Sequence, residues 1–358
     1  MDFIPGSAEE IDAAWLTEAM GEFHPGVRVA GVEIIERTEV TNSHALLKLD
    51  YEEPAGAPST LFCKLLPCDP ARRPAIAQTG MGPLESRFYA RLAPQIAMRV
   101  PRVHAARHQR ETGGFALLLE DLAASGCTVS DGTRSVSPDA AAHALEDLAG
   151  LHLRFEDPAR RAAEAGWVPE PGPPSDYGTQ RLLFALDRRR ERISDCFAEL
   201  AELYIENNQA LHALWHDGPG PRTVVHGDAH IGNLFDDAGR TGFLDWGIIC
   251  ASTPLRDVSY FLCMALSVED RRARERELLR HYLEVRAAGG GADIPFEQAW
   301  TAHRLQAAYL VPACCQVVTF PEDATPRRRV FAAAFLARAE AALEDLEVRG
   351  ALREHANL

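Results

Sequence analysis

Hydrophobic and polar positions change rhythm along the chain. From about residue 27 the apolar residues fall in extended runs, "VRVAGVEIIERTEV", "SHALLKLDYEE" and "STLFCKLLP". In the second run Leu47, Leu49 and Tyr51 alternate with polar positions, the period of a half-buried strand. "EEPAGAPS" reads as the turn between the last two runs. In "GPLESRFYARLAP" the spacing becomes helical: Leu84, Phe88 and Leu92 lie four apart, with Pro83 in the first turn. "VPRVHAARHQRETGGFALLLEDL" reads as a hairpin turning at Thr112, Gly113 and Gly114. A mostly antiparallel sheet with one embedded helix is expected over residues 27 to about 121, after a short helical lead-in over residues 1 to 24.

Beyond Gly126 the helical period dominates. "SPDAAAHALEDLAGLHLRF" opens on Ser137 as N-cap with Pro138 at the first helical position, and Leu145, Leu148 and His152 form its stripe. Helices are expected again over 181–216, 255–285, 295–318 and 326–348. The pattern therefore predicts an α+β chain: a small sheet lobe over 1–121 and a large helical lobe over 122–358. Their junction falls near residues 120 to 126. A length of 358 residues suits two such lobes, and 46% apolar residues suffice for their cores.

Charge and composition narrow the function classes. A net charge of −15 argues against nucleic-acid and anionic-membrane partners, which require basic faces. The longest apolar runs are far shorter than a membrane span, and the N-terminal segment lacks the basic-then-apolar order of a leader peptide. Eight scattered cysteines without a C-x-x-C pair fit a reducing compartment, so a cytoplasmic location is expected. Lysine occurs only at Lys48 and Lys64, while every other basic residue is one of 35 arginines.

Candidate chemistry concentrates in "VVHGDAHIGNLFDDAGRTGFLDWG", residues 224–247. Asp228 and Asn233 lie on one loop after an apolar strand, and Asp245 ends the following strand, so the turn between strands is expected to bring Asn233 and Asp245 side by side. A carboxylate and an amide carbonyl are hard oxygen ligands suited to Mg²⁺. Asp228 is then placed to meet a nucleophilic hydroxyl, the division of labour of phosphoryl transfer. Lys64 stands mid-strand among apolar neighbours and needs a partner, which Glu85 on the next helix can supply. A strand lysine paired with a helix glutamate is a phosphate-holding arrangement. The run "FALLLEDL" would offer the backbone of Glu120 and Leu122 to an adenine.

"HGDAHIGN" followed by "LDWG" resembles the signature of aminoglycoside phosphotransferases, choline kinases and ecdysteroid-kinase-like proteins. The resemblance spans roughly residues 30 to 320. It implies a protein-kinase-like two-lobed fold and the cofactors ATP and Mg²⁺, with ATP between the lobes. It also implies a small-molecule hydroxyl substrate, and a monomer or homodimer is expected. By the same resemblance Asp228 is the catalytic aspartate, Asn233 and Asp245 bind the metal, and Lys64 with Glu85 anchors phosphates. His226 and Asp257 would brace the catalytic loop, and His230 would help shape it. The glycine-rich phosphate turn of such kinases is missing from "ERTEVTNSHALLK"; Thr41, Asn42 and Ser43 offer donors there instead.

Simpler readings weigh against parts of this picture. Asp236 and Asp237 suit an ordinary turn, and His152 suits a packed core position. A metallohydrolase using His226, Asp228 and His230 would require further histidines at ligand spacing, which are absent. A non-catalytic nucleotide-binding pseudokinase is the remaining alternative. A protein kinase is disfavoured because only eleven residues separate Asp245 from Asp257.

Overall fold

A computed structural model describes residues 3–358 and divides the chain into two compact units. The first takes in the chain up to Val129 and then the segment Gly242–Ile249; the second takes in Ser130–Thr241 and Cys250–Leu358.

The first unit is built on a five-stranded antiparallel sheet. Its strands are β1 (Arg28–Glu39), β2 (Ser43–Glu53), β3 (Thr60–Leu65), β4 (Val103–His108) and β5 (Phe115–Glu120), in the order β1-β2-β3-β5-β4. Strand alternation sorts the side chains. Leu61, Cys63 and Leu65 of β3 join Leu47 and Leu49 of β2 in a core closed by Trp15, Leu16 and Met20 of helix α1 (Ala13–Met20). Period 2 then turns Lys64 to the opposite face of the sheet.

Two helices follow β3. The short α2 (Arg73–Gln78), with Pro74 in its first turn, was not expected from the pattern. Helix α3 (Met81–Arg91) buries Gly82, Pro83, Glu85, Ser86, Phe88 and Tyr89, whereas Leu84 is only half-buried. Phe88 and Leu92 of the expected stripe are fully buried, and the buried face extends beside them to take in Glu85 in place of Leu84. Gly82 permits the close approach: a Cβ there would lie 2.0 Å from the Phe115 ring of β5. A two-residue strand, β6 (Thr128–Val129), ends the first run of this unit.

The second unit is mainly helical. Helix α4 (Pro138–Glu156) starts as the sequence indicates, with the Ser137 hydroxyl accepting from the Ala140 amide. The short helix α5 (Pro158–Ala165) follows. The helical stretch expected over 181–216 comprises two helices, α6 (Asp176–Arg188) and α7 (Asp195–His216), the latter kinked at Asn207. Likewise 255–285 divides into α8 (Leu255–Ala265) and α9 (Val268–Ala288), because Ser267 caps the second with a 3.0 Å bond from the Asp270 amide. The 295–318 stretch breaks into α10 (Phe296–Gln306), α11 (Leu310–Ala313) and single 3₁₀ turns; Pro312 has no amide to continue a ladder. Helices α12 (Pro326–Asp345) and α13 (Val348–His355) complete the chain.

Among these helices α8 is buried along its whole length. Strands β7 (Thr223–Val225) and β10 (Cys250–Ser252) pair antiparallel with Val225 opposite Cys250. Strands β8 (Leu234–Asp237) and β9 (Arg240–Phe243) flank the "DDAGR" turn, where Ala238 and Gly239 both take positive φ. No helix among the described residues is long and apolar enough to cross a membrane.

Candidate active site

In the first unit, Lys64 Nζ lies 2.7 Å from Glu85 Oε2 and 3.0 Å from Asp245 Oδ1. Lys64 and Glu85 are buried, whereas the Asp245 side chain is 46% exposed. Burial works against the lysine charge, but the Asp245 and Glu85 carboxylates outweigh it and hold the ammonium above its ordinary range. Burial pushes the Glu85 carboxyl up to about 7 against the opposing pull of Lys64. Asp245 lies just past β9 rather than in it, with a φ of 60° in the left-handed region. The next residue, Trp246, stacks on Phe88 of α3 at 3.8 Å between ring centroids and 8° between planes. Segment 242–249 is thereby fixed to the helix that carries Glu85.

His44 stands opposite Lys64 in the β2–β3 register, and burial, with Lys64 adding to it, brings its imidazole down to about 4. Ser43 begins β2 and lines an open cavity of about 470 Å³ with Glu9, Arg37, His44 and Cys68. The glycine-free turn before it is held from outside: the Arg72 guanidinium donates to the carbonyls of Val40 and Thr41. Glu120 ends β5 with its carboxylate forked onto Arg99, both contacts 2.9 Å, and its amide donating to Arg102 O at 2.8 Å. The Leu122 carbonyl accepts from Cys127 at 2.8 Å.

In the second unit, the loop after β7 is organised by Asp257, which is fully buried in the first turn of α8. Its carboxylate accepts from the His226 amide at 2.7 Å and the Gly227 amide at 2.8 Å. Nε2 of His152 lies 3.3 Å from the same carboxylate, and Nδ1 of His152 is 2.7 Å from the Tyr282 hydroxyl. Burial works to raise Asp257, but His152 and the Gly227 amide outweigh it and hold the carboxyl below its ordinary range. Gly227 takes a φ of 85°, which a side chain would resist, and this aims Asp228 out of the turn.

Asp228 is surrounded by groups that favour its charge. His226 Nδ1 accepts from the Asp228 amide at 3.1 Å. Asn233 Nδ2 donates to both the Asp228 carbonyl and Oδ2, each at 3.0 Å. His230 Nδ1 accepts from the Gly232 amide at 2.9 Å, so its proton sits on Nε2, which lies 3.6 Å from Asp228 Oδ2. Burial would raise the Asp228 carboxyl, yet His230 foremost, then His226 and Arg256, hold it below the ordinary value. It is therefore ionised at neutral pH while 31% of its side chain stays exposed. Such a group accepts a hydrogen bond from a hydroxyl and aligns its oxygen.

Sequence reasoning placed His152 in the core and did not separate its role from packing. The residue is indeed fully buried, but it bonds Asp257. Its signal was a polar ring on an apolar stripe, and its partner lies 105 residues further on. Arg256 was also passed over, as one arginine among many.

Residues 71–305, more than half of the chain, match the model of the phosphotransferase enzyme family, and the chain belongs to that family. Choline kinase from Cryptosporidium parvum Iowa II is similar in structure, with a TM-score of 0.50, 12% identity and 91% of each chain covered. A choline/ethanolamine kinase family protein from Mesorhizobium loti matches at a TM-score of 0.46 and 18% identity, over 96% of this chain and 98% of that one. The macrolide 2'-phosphotransferase of Brachybacterium faecium matches at a TM-score of 0.44 and 19% identity, over 88% of this chain and 96% of that one. No curated protein matches the chain significantly. The likeness to choline kinase agrees with the protein-kinase-like two-lobed fold that the resemblance implies, and the order of elements is α+β as the pattern predicts.

Proposed function

We propose that the protein transfers the γ-phosphoryl group of ATP to a hydroxyl of a small molecule, with Mg²⁺. The observation that carries this reading is the Lys64–Glu85–Asp245 triad in a chain of the phosphotransferase enzyme family. A buried ammonium on a strand, oriented by a helix glutamate, positions nucleotide phosphates without taking part in bond making.

Asp228 is the group for the acceptor. Its ionised carboxylate accepts the hydroxyl hydrogen bond and directs the oxygen at phosphorus. As the new P–O bond forms, the bond from phosphorus to the β,γ-bridging oxygen breaks. ADP leaves, and the hydroxyl proton passes to Asp228 and on to solvent.

The metal ligands of this reading are Asn233 and Asp245. Both Asn233 contacts to Asp228 use the amide nitrogen, which leaves the carbonyl oxygen as the end suited to a cation. Asp245 adds a carboxylate with an exposed side chain. Hard oxygens of this kind fit Mg²⁺ better than Zn²⁺. Bound there, the ion would neutralise charge developing on the phosphate oxygens.

The test is ADP release from ATP against a broad panel of hydroxyl compounds, before and after exhaustive chelation. Turnover that disappears with chelation and returns with Mg²⁺ or Mn²⁺ is expected. Full activity in the chelated enzyme would overturn the metal assignment. Nucleotide binding with no turnover on any acceptor would favour a pseudokinase.

A further inference from the structure

Four arginines of the second unit are buried, and three of them hold ion pairs or several acceptors. Arg271 pairs with Glu275 and Asp345, and Arg286 with Glu156. Arg338 donates to the carbonyls of Leu266, Ala334 and Thr133 and to the Ser135 hydroxyl. Arg256 differs. It is 3% exposed, and its one hydrogen bond is a 3.0 Å contact from Nη2 to the Gly227 carbonyl. It makes no ion pair among the described residues, since Asp228 acts on it from beyond ion-pair distance. No nitrogen of Arg256 is both sealed from solvent and unbonded, unlike Nε of Arg271 and of Arg286. Its remaining N–H groups therefore keep some contact with solvent and have no acceptor among the described residues.

Two aromatic rings lie close to the guanidinium. Arg256 lies over the Tyr309 ring at 3.5 Å from the centroid and beside Tyr260 at 5.3 Å. A ring in this position attracts the cation over its face, and a guanidinium offers a donor fork that suits carboxylate or phosphate oxygens. Two half-buried histidines of α7 lie within electrostatic reach, His212 and His216, with ring centroids 4.5 Å apart. His216 Nδ1 is 2.7 Å from the Ser252 hydroxyl. Burial first and Arg256 second favour the neutral form of both rings, which makes them hydrogen-bonding neighbours rather than competing cations. A buried charge with no contact ion pair is unfavourable, so a site that keeps one, with Asp228 acting only from longer range, is suited to a ligand that brings the opposite sign.

We infer that Arg256 recognises an anionic group, a carboxylate or a phosphate, on the acceptor molecule, with Tyr309 as the ring on which the guanidinium is braced. The inference rests on the phosphotransferase reading for the hydroxyl at Asp228 and adds the chemical class of the molecule bearing it. That class is a hydroxy acid or a hydroxylated phosphate ester, in place of a cationic or uncharged alcohol.

The test uses matched acceptors on the full-length enzyme with ATP and Mg²⁺: hydroxy acids, the corresponding uncharged amides, and hydroxyalkyl phosphates. Wild type should favour charged members over their amides by about tenfold or more in kcat/KM. R256Q should lose about 10- to 100-fold more on the charged members than on the amides, the value of one or two charge-assisted hydrogen bonds, beyond whatever common loss follows from its action on Asp228. R256K, which keeps charge without the fork, should retain part of the preference and covers the case in which R256Q folds poorly. The carboxylate and phosphate arms show which anion is read. Absence of a charge preference in wild type overturns the inference and leaves the phosphotransferase reading standing. An equal loss on every acceptor also overturns it, by assigning Arg256 to Asp228 instead. Calorimetric binding of the same hydroxy acids provides the second readout. Binding by wild type and not by R256Q, without turnover of any acceptor, upholds the anion site while the phosphotransferase reading fails. Equal binding by both, or by neither, overturns the inference.

Discussion

At the scale of single residues, the chemistry follows from which charges are paired. Lys64 was legible because a chain that writes nearly all its positive charge as arginine kept an ammonium in an apolar strand. The structure gives that choice a geometry: a compact cation between two carboxylates, at 2.7 Å and 3.0 Å. A guanidinium is wider and planar and cannot occupy the same slot at equal charge. Lys64→Arg should therefore lose most turnover while the fold is retained. Lys48→Arg, where an exposed lysine sits 3.7 Å from exposed Glu33, should be nearly silent. Equal activity of the two variants at matched thermal stability would reduce Lys64 to an ordinary strand charge. Asp228→Asn should leave nucleotide affinity nearly unchanged and lower kcat by roughly 10²- to 10⁴-fold, as expected for a proton-accepting group. Wild-type turnover in that variant would remove the residue from the mechanism. The link between His152 and Asp257 was not legible, because sequence spacing carries no record of a contact across 105 positions.

At the scale of elements, what was readable depended on whether the stop signals are local. The start of α4 was read to the residue from Ser137 and Pro138, because an N-cap needs only its own turn. Boundaries inside apolar stretches were missed, as at Ser267 between α8 and α9, where hydrophobic periodicity runs through the break. The burial of Glu85 in place of Leu84 on α3 was missed for a related reason. Phe88 and Leu92 are buried as the stripe predicts, but the close contact of Gly82 with Phe115 of β5 is not written in the periodicity. Gly82→Ala should push α3 away from the sheet and cost about 1–3 kcal/mol, the usual range for overpacking. Glu85 would move with the helix, so nucleotide affinity should fall beyond what the stability loss explains. Denaturant melts together with nucleotide titration separate the two effects. A variant with wild-type stability and affinity would show that the contact relaxes without consequence.

At the scale of the whole molecule, histidines largely withdrawn from water make the fold sensitive to acid. Burial, first among the causes in each case, brings His44 and His104 down to about 4 and His216 to about 3. In the unfolded chain such groups titrate near 6.5. Between those values the unfolded state binds more protons, so stability present above about pH 6.5 is lost as the pH falls through that window. Glu85, raised to about 7, acts in the opposite direction between its unfolded value and 7, as one carboxyl against three imidazoles. The melting temperature should accordingly fall steadily from pH 6.5 to pH 4, and a flat profile would contradict the histidine environments described. The division of the chain has a consequence of another kind, for synthesis. The first unit is interrupted after Val129 and resumes at Gly242, and Lys64 meets Asp245 across 181 positions. A ribosome adding about 5–20 residues each second needs on the order of ten to thirty seconds to pass from Glu85 to Asp245. Throughout that interval the nascent sheet carries a lysine without its second carboxylate and a Phe88 ring without its covering indole. The part of the protein made first is therefore among the last to be finished, and a fragment ending at residue 129 should be a poor substitute for it.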